Sequence, residues 1–409
     1  MSEFYDSKET RSADEREAAL MAALPGQVGH AKANAPYFSK LLAGFDAAAI
    51  NSRAALAQLP VTRKSDLIDI QQENTPFGGL NATAKGKLFR VFASPGPIYD
   101  PEGHGKDWWR IGRALYAAGF REGDLLHNCF AYHFTPGGLM FETGAHALGC
   151  PVFPAGVGNT EQQARAVADL KPAGYSGTPS FLKIILEKAR EMGLDHSSLS
   201  MACVSGEALL PPLRQSLADL GVDVVQAYAT ADLGLIAYET RAKQGLVVDE
   251  DIIVEIVRPG TNDPVAPGEV GEVVVTSFNP DYPLIRFGTG DLSAVMEGQS
   301  PCGRTNMRLK GWMGRADQTT KIKGMFVHPR QINDVAKRFP AITRAKLVVE
   351  KQGDNDRMVL QVECADAGEA MAAALKDALQ SVCKLKGDVE FHPPGALPND
   401  GKVIEDKRS

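Results

Sequence analysis

From residue 106 onward the chain alternates between segments with apolar residues at helical spacing and short apolar runs bounded by glycine, proline and polar residues. Asp107–Gly119 places Trp108, Ile111 and Leu115 near one helical face. Leu125–Tyr132 is a largely apolar run of strand length, Gly138–Leu148 reads as a helix, and Cys150–Pro154 as a short buried strand. Asn159–Leu170 predicts another helix, with Asn159 or Thr160 at its N-cap. Gly174–Ser176 leads into a helix over Pro179–Met192, whose proline is tolerated in the first turn. Met201–Ser205, Pro211–Gly221 and Val222–Gln226 repeat the alternation. That rhythm predicts an α/β fold, a mainly parallel sheet covered by helices.

After Glu239 the texture changes. Asp251–Val257 and Glu272–Thr276 are rich in β-branched residues, with Arg258-Pro259-Gly260 and Ala266-Pro267-Gly268 as turns between them. A β-rich subdomain is expected over about 240–313. A second shift comes at Gly314–Asp317. Beyond it the pattern predicts a short strand, a helix over Pro329–Arg338, strands over Ala345–Glu350 and Met358–Cys364, a long helix over Glu369–Leu385 and a strand near Val389. The expected organisation is a large N-terminal domain, 1–314, and a small α+β domain, 315–409, of ordinary domain size.

Composition narrows the partners. The 409 residues are 44% hydrophobic and 23% charged with a net charge of −6, so no basic surface points to nucleic acid. The six cysteines form no C-x-x-C pair, which predicts reduced thiols and a cytoplasmic location. Met1–Ala18 is polar and charged, unlike a signal peptide, and no run is long enough to cross a bilayer, so no membrane partner is expected. Several signatures are absent. Glu161 interrupts the pattern that Gly156-Val157-Gly158 begins, and there is no G-x-x-x-x-G-K-[ST] loop, H-E-x-x-H helix or G-x-S-x-G elbow. His127, Cys129 and His133 alternate along a predicted strand. A packed core edge with a stray histidine is the favoured reading, a metal site the alternative.

Other stretches fit one chemistry. Coupling a carboxylate to the α-phosphate of ATP needs a platform for adenine, a carboxylate for the ribose, an anion for Mg²⁺ and cations for developing phosphate charge. In chain order, Tyr132-His133-Phe134-Thr135-Pro136-Gly137-Gly138 with Asn159–Gln163, Ser205-Gly206-Glu207-Ala208, Tyr228-Ala229-Thr230-Ala231-Asp232, Phe287-Gly288-Thr289-Gly290-Asp291, Gly314-Arg315-Ala316-Asp317 with Lys323-Gly324, and Pro398–Lys402 resemble segments of the phenylacetate–CoA ligase family. The resemblance runs from about Pro36 to the C-terminus. It implies an acid pocket at Tyr132, His133, Phe134 and Gly137, although His133 facing the core is an equal reading. It implies nucleotide contacts from Ser94, Gly96, Ser205, Gly206, Glu207, Tyr228, Ala229, Thr230 and Asp291, and Mg²⁺ at Asp232. Arg315 and Asp317 would form a hinge, Gly324 would face CoA, and Lys402 would be the catalytic lysine carried by a mobile lid. The implied activity is formation of an acyl-adenylate from ATP and a carboxylic acid, aryl or arylacetic, followed by a thioester with CoA. A homodimer is implied as well.

The sequence departs from the family at the loop that grips phosphate, Phe92-Ala93-Ser94-Pro95-Gly96-Pro97-Ile98-Tyr99-Asp100. Pro95 and Pro97 lack an N–H, the lysine is gone, and Asp100 and Glu102 bring negative charge. A weaker or differently built ATP grip and a plain surface turn are both open. Asp232 stands where the family has glutamate, and Cys302 has no Cys or His near Thr240–Val248 to join it, so no zinc is predicted. Transfer to a carrier protein, or an AMP- or CoA-binding paralogue without the chemistry, are the rival expectations.

Overall fold

The computed structural model describes residues 3–316, 318, 320–323, 325–327, 329–352, 355–365, 368–397 and 403–408, with the backbone alone at 326, 330 and 355. The chain divides into two compact units, Met1–Met313 and Gly314–Ser409.

The first unit is built on a nine-stranded sheet. Val152–Pro154, Leu126–Asn128, Gly174–Gly177, Met201–Val204 and Asp223–Thr230 run parallel in that spatial order. Antiparallel strands Gly234–Glu239, Leu246–Val248, Arg308–Leu309 and Val295–Met296 extend it. The apolar runs are continuous because both faces are covered. In Met201–Val204, Met201 and Cys203 pack with helices Ile111–Ala118 and Gly137–Ala147 on one face. Ala202 and Val204 pack with helices Thr160–Leu170, Pro179–Glu191 and Pro211–Asp219 on the other. The strands after residue 239 are thus shared between this sheet and a second, in which Thr62–Arg63, Phe287–Ser293, Gly271–Ser277 and Ile252–Val257 lie side by side.

The N-terminal helix, Ala13–Asn34, starts at a capping box in which Ser12 and Glu15 exchange hydrogen bonds. Its Leu20, Leu24, Val28 and Ala31 recur at helical spacing and close the core over the second sheet. The predicted helix at 107–119 begins four residues late, at Ile111, because both Asp107 oxygens accept the opening N–H groups of Ile111 and Gly112.

The second unit has its own core. Strands Asp388–His392, Asn355–Cys364, Ile342–Gln352 and Ile404–Asp406 form one sheet, packed by helices Pro329–Lys337 and Glu369–Cys383 through Ile332, Val335, Leu347, Leu360, Leu375 and Leu379.

Candidate active site

The phosphate-loop stretch folds as an antiparallel hairpin, Arg90–Ser94 against Ile98–Glu102, with an exposed tip at Pro95-Gly96-Pro97. Gly96 therefore supplies the tip's sole N–H. The acids behind it behave differently from the sequence expectation. Glu102 is buried and held by the Arg90 guanidinium, with both of its oxygens at 3.1 Å. Asp100 is fully buried and accepts a hydrogen bond from Ser94 Oγ. Burial, reinforced by the neighbouring Asp232 carboxylate, pushes its carboxyl up to about 8, so at neutral pH it carries a proton. Neither acid places a bare charge at the hairpin.

Asp232 sits on the turn between strands Asp223–Thr230 and Gly234–Glu239. The Thr230 hydroxyl accepts the Leu233 N–H at 3.2 Å across this turn. Gly234, at φ +72°, lets the chain reverse where a Cβ would stand 2.6 Å from the Trp109 carbonyl oxygen. Asp232 is 3% exposed, and Lys64 Nζ lies 2.5 Å from its Oδ2. The protonated Asp100 carboxyl hydrogen-bonds the Asp232 carboxylate, so the two acids share one proton. Two adjoining acid side chains are oxygen ligands of the kind a hard divalent cation takes in place of that proton, so their chemistry fits Mg²⁺.

Two residues singled out from sequence come together where strand Phe287–Ser293 of the second sheet carries Asp291. The Tyr228 hydroxyl donates to Asp291 Oδ2 at 2.9 Å and lies 3.1 Å from Thr289 Oγ1. Trp312 Nε1 donates to Asp291 Oδ1 at 3.1 Å. Ser205 and Gly206 follow strand Met201–Val204, with Ser205 N–H on the Gly177 carbonyl and Gly206 at φ +82°. Glu207 takes a structural part: its Oε1 accepts Ser180 N–H at 2.7 Å, in the first turn of the helix Pro179–Glu191. Ala229 and Thr230 are half-buried beside Tyr228.

The acid-pocket candidates form one loop after strand Leu126–Asn128. Tyr132 is half-buried, and its hydroxyl accepts from Asn128 Nδ2 at 2.7 Å. Burial and Glu142 push its phenol up. His133 and Phe134 are exposed, Phe134 at φ +63°. Gly137 begins the helix Gly137–Ala147. The Phe134 carbonyl accepts Ala93 N–H at 2.8 Å, which ties this loop to the hairpin Arg90–Glu102. His127 Nε2 and Cys129 Sγ meet the buried Gln163 Oε1 at 2.8 and 2.9 Å, whereas His133 lies outside the strand, so the three do not converge. Among the described residues no group of three or more His, Cys, Asp or Glu is arranged to hold a metal.

In the second unit Arg315 is half-buried, and its carbonyl lies 3.4 Å from Gln318 N. Gln318 Oε1 accepts the N–H groups of Val403 and Ile404 at 2.5 and 3.1 Å. Gln318 thus holds the start of the strand Ile404–Asp406. Asp317, Gly324 and Lys402 themselves lie outside the described residues. Sequence reasoning missed Lys64 and Trp312. Lys64 meets its acid across 168 residues and Trp312, outside any element, across 21, and neither lies in a periodic or motif context that marks it.

The AMP-binding enzyme family model matches residues 108–279, and the AMP-binding enzyme C-terminal domain model matches 324–408. A phenylacetate-coenzyme A ligase of Thermus thermophilus is 32% identical over 81% of this chain and 77% of its own. One of Aromatoleum evansii is 31% identical over 95% and 93%. Among solved structures, a 2-hydroxyisobutyryl-CoA ligase in complex with 2-HIB-AMP and CoA superposes with a TM-score of 0.81 at 26% identity, covering 100% of this chain and 93% of that one. An amide bond synthetase of Marinactinospora thermotolerans, at 16% identity and a TM-score of 0.53 over 81% and 70%, shares the fold. A continuous match to curated ligases at this identity settles the family: the chain belongs to the phenylacetate–CoA ligase family of AMP-binding enzymes.

Proposed function

We propose that the protein uses ATP to activate a small carboxylic acid as its acyl-adenylate and then forms the CoA thioester. The observation that carries the reading is the Tyr228–Asp291 pair: an aromatic ring and a buried carboxylate hydrogen-bonded to each other in a chain of this family. Such a pair offers a ring for adenine and an acceptor for the ribose hydroxyls. In the first half-reaction an oxygen of the acid attacks the α-phosphorus, and pyrophosphate leaves with the electrons of the bridging bond. In the second, a thiol sulfur attacks the acyl carbon and AMP leaves. Mg²⁺ held by Asp232 would neutralise phosphate charge.

Lys402 is assigned the charge developing at phosphorus, Arg315 and Asp317 the hinge of a mobile lid formed by 315–409, and Gly324 the CoA side. Ser205, Gly206, Ala229 and Thr230 would border the nucleotide. Tyr132, His133, Phe134 and Gly137 would receive an aryl or arylacetic acid, because an exposed aromatic beside a half-buried one suits a flat apolar group. None of the six cysteines, all of them described, is in a disulfide, which suits a reducing compartment such as the cytoplasm. We also infer a homodimer, which light scattering would check.

The test is acid-dependent ATP–pyrophosphate exchange over a panel of aromatic and short-chain acids. Exchange is expected with an aryl acid, abolished in Lys402→Ala and strongly reduced in Asp291→Asn. A folded protein that binds AMP yet exchanges with no acid would instead favour a nucleotide-binding paralogue, the reading that the hairpin's single tip N–H supports.

A further inference from the structure

The hairpin poses a chemical problem. A triphosphate needs several donors or cations, yet the tip offers one N–H, and no Lys or Arg occurs between Arg90 and Lys106. Three arginines of this unit, Arg90, Arg63 and Arg110, are committed to acids and carbonyls. Arg90 is locked on Glu102. Arg63 is held by Glu272 at 3.3 Å and by the Thr261 carbonyl. Arg110 is bound by Asp249 and by the carbonyls of Leu233 and Leu235.

Lys64 is placed differently. Thr62 and Arg63 pair in parallel with Phe287 and Gly288 on the strand that carries Asp291, and Lys64 opens the 3-10 turn that follows them. Its side chain reaches Asp232 at 2.5 Å, and Asp232 adjoins Asp100 at the base of the hairpin. The lysine is 23% exposed whereas the Asp232 side chain is fully buried, so Lys64 holds the acid from the solvent side. A lysine stem has the rotamer freedom to exchange one anion for another without moving the backbone.

We propose that Lys64 supplies the cation missing from the phosphate hairpin: it rests on Asp232 and turns to the β- and γ-phosphate oxygens of ATP. It stabilises the charge that accumulates on pyrophosphate as the bond to the α-phosphorus breaks. The assignment rests on the adenylation reading and adds a catalytic residue to it. A compact ammonium in a partly desolvated site is worth far more to a leaving dianion than the two N–H groups that the prolines remove.

Isothermal titration of the full-length protein in magnesium buffer separates this role from a structural one, with ATP, pyrophosphate and AMP as ligands. Lys64→Gln is expected to weaken ATP and pyrophosphate about ten- to a hundredfold, the loss of one charge-assisted contact, and AMP by less than about twofold. Lys64→Arg is expected to recover part of the loss. Equal weakening of AMP and ATP in Lys64→Gln would make Lys64 a mere support for Asp232 and overturn the proposal. So would unchanged ATP binding, or a wild type that binds AMP but neither ATP nor pyrophosphate. Wild-type protein that binds ATP through Lys64 yet shows no acid-dependent exchange would uphold Lys64 and refute the acid-activation reading instead.

Discussion

Asp291 holds two donors at once, the Tyr228 phenol on one oxygen and the Trp312 indole on the other. Ribose hydroxyls that bind this carboxylate compete with both for its lone pairs. Trp312 is 51% exposed and Tyr228 only half-buried within the sheet, so the indole gives way at lower cost. Titration with AMP should therefore change the tryptophan emission of the wild type. In Trp312→Phe most of that change should vanish while AMP still binds, since Trp108 and Trp109 keep their surroundings; an unchanged signal would place the ribose elsewhere. A second residue-scale effect concerns the turn that presents Asp232. Gly234→Ala forces a Cβ into a left-handed conformation, about 1–2 kcal/mol by itself, and against the Trp109 carbonyl 2.6 Å away. Urea unfolding should show a loss of at least about 2 kcal/mol, with AMP affinity falling less than ATP affinity because it is Asp232 that shifts.

At the scale of elements, helices were legible wherever apolar residues recur at helical spacing, as in Pro179–Glu191, and strands wherever both faces are covered, as in Met201–Val204. The phosphate hairpin was not. Its residues read as a turn with extra acid, because the ion pair that silences Glu102 and the burial that neutralises Asp100 exist only after folding. Asp291 and Tyr228 stood out through their ordered motifs, but Lys64 meets Asp232 across 168 residues, a meeting of two turns that exists only in the folded chain. The strand Ile404–Asp406 was also unread, since three residues carry no pattern until they pair with Ile342–Gln352. A titration isolates one element of the second unit. Burial alone would raise Asp356, but the Lys323 N–H and the Lys351 and Arg408 side chains outweigh it and hold the carboxyl at about 2, below its usual 3.8. A depressed folded value means that this stability is present above pH 3.8 and lost as pH falls towards 2. Asp356→Asn should thus unfold at lower urea than wild type at pH 7, and the gap should close as pH falls through that window. A gap independent of pH would mean that packing, not charge, is what the substitution removes.

For the molecule as a whole, the decisive feature is that each of the two units has a hydrophobic core of its own. The clusters of the first unit end at Leu309, and that of the second begins at Ile322. The first unit is further clasped by its N-terminal segment. Glu9 is fully buried, with Arg304 at 3.1 Å, Arg113 at 3.3 Å and the Tyr238 hydroxyl donating at 2.8 Å. Glu9→Gln takes from the buried Arg304 guanidinium its acid partner, whereas Arg113 keeps Asp6 at 2.8 Å and Asp249 at 3.3 Å; removing one partner of a buried pair costs roughly 3–5 kcal/mol. All three tryptophans, 108, 109 and 312, belong to the first unit, so their emission reports on it alone, while far-ultraviolet circular dichroism sees both. Urea should accordingly give two transitions by dichroism and one by fluorescence. Glu9→Gln should move the fluorescence transition and its dichroic counterpart to lower urea and leave the other in place. Asp356→Asn should do the reverse at pH 7. If either substitution moved both transitions together, the two cores would be one cooperative unit despite their separation, and 315–409 could not turn as a rigid lid on a hinge without unsettling the domain that holds Asp291.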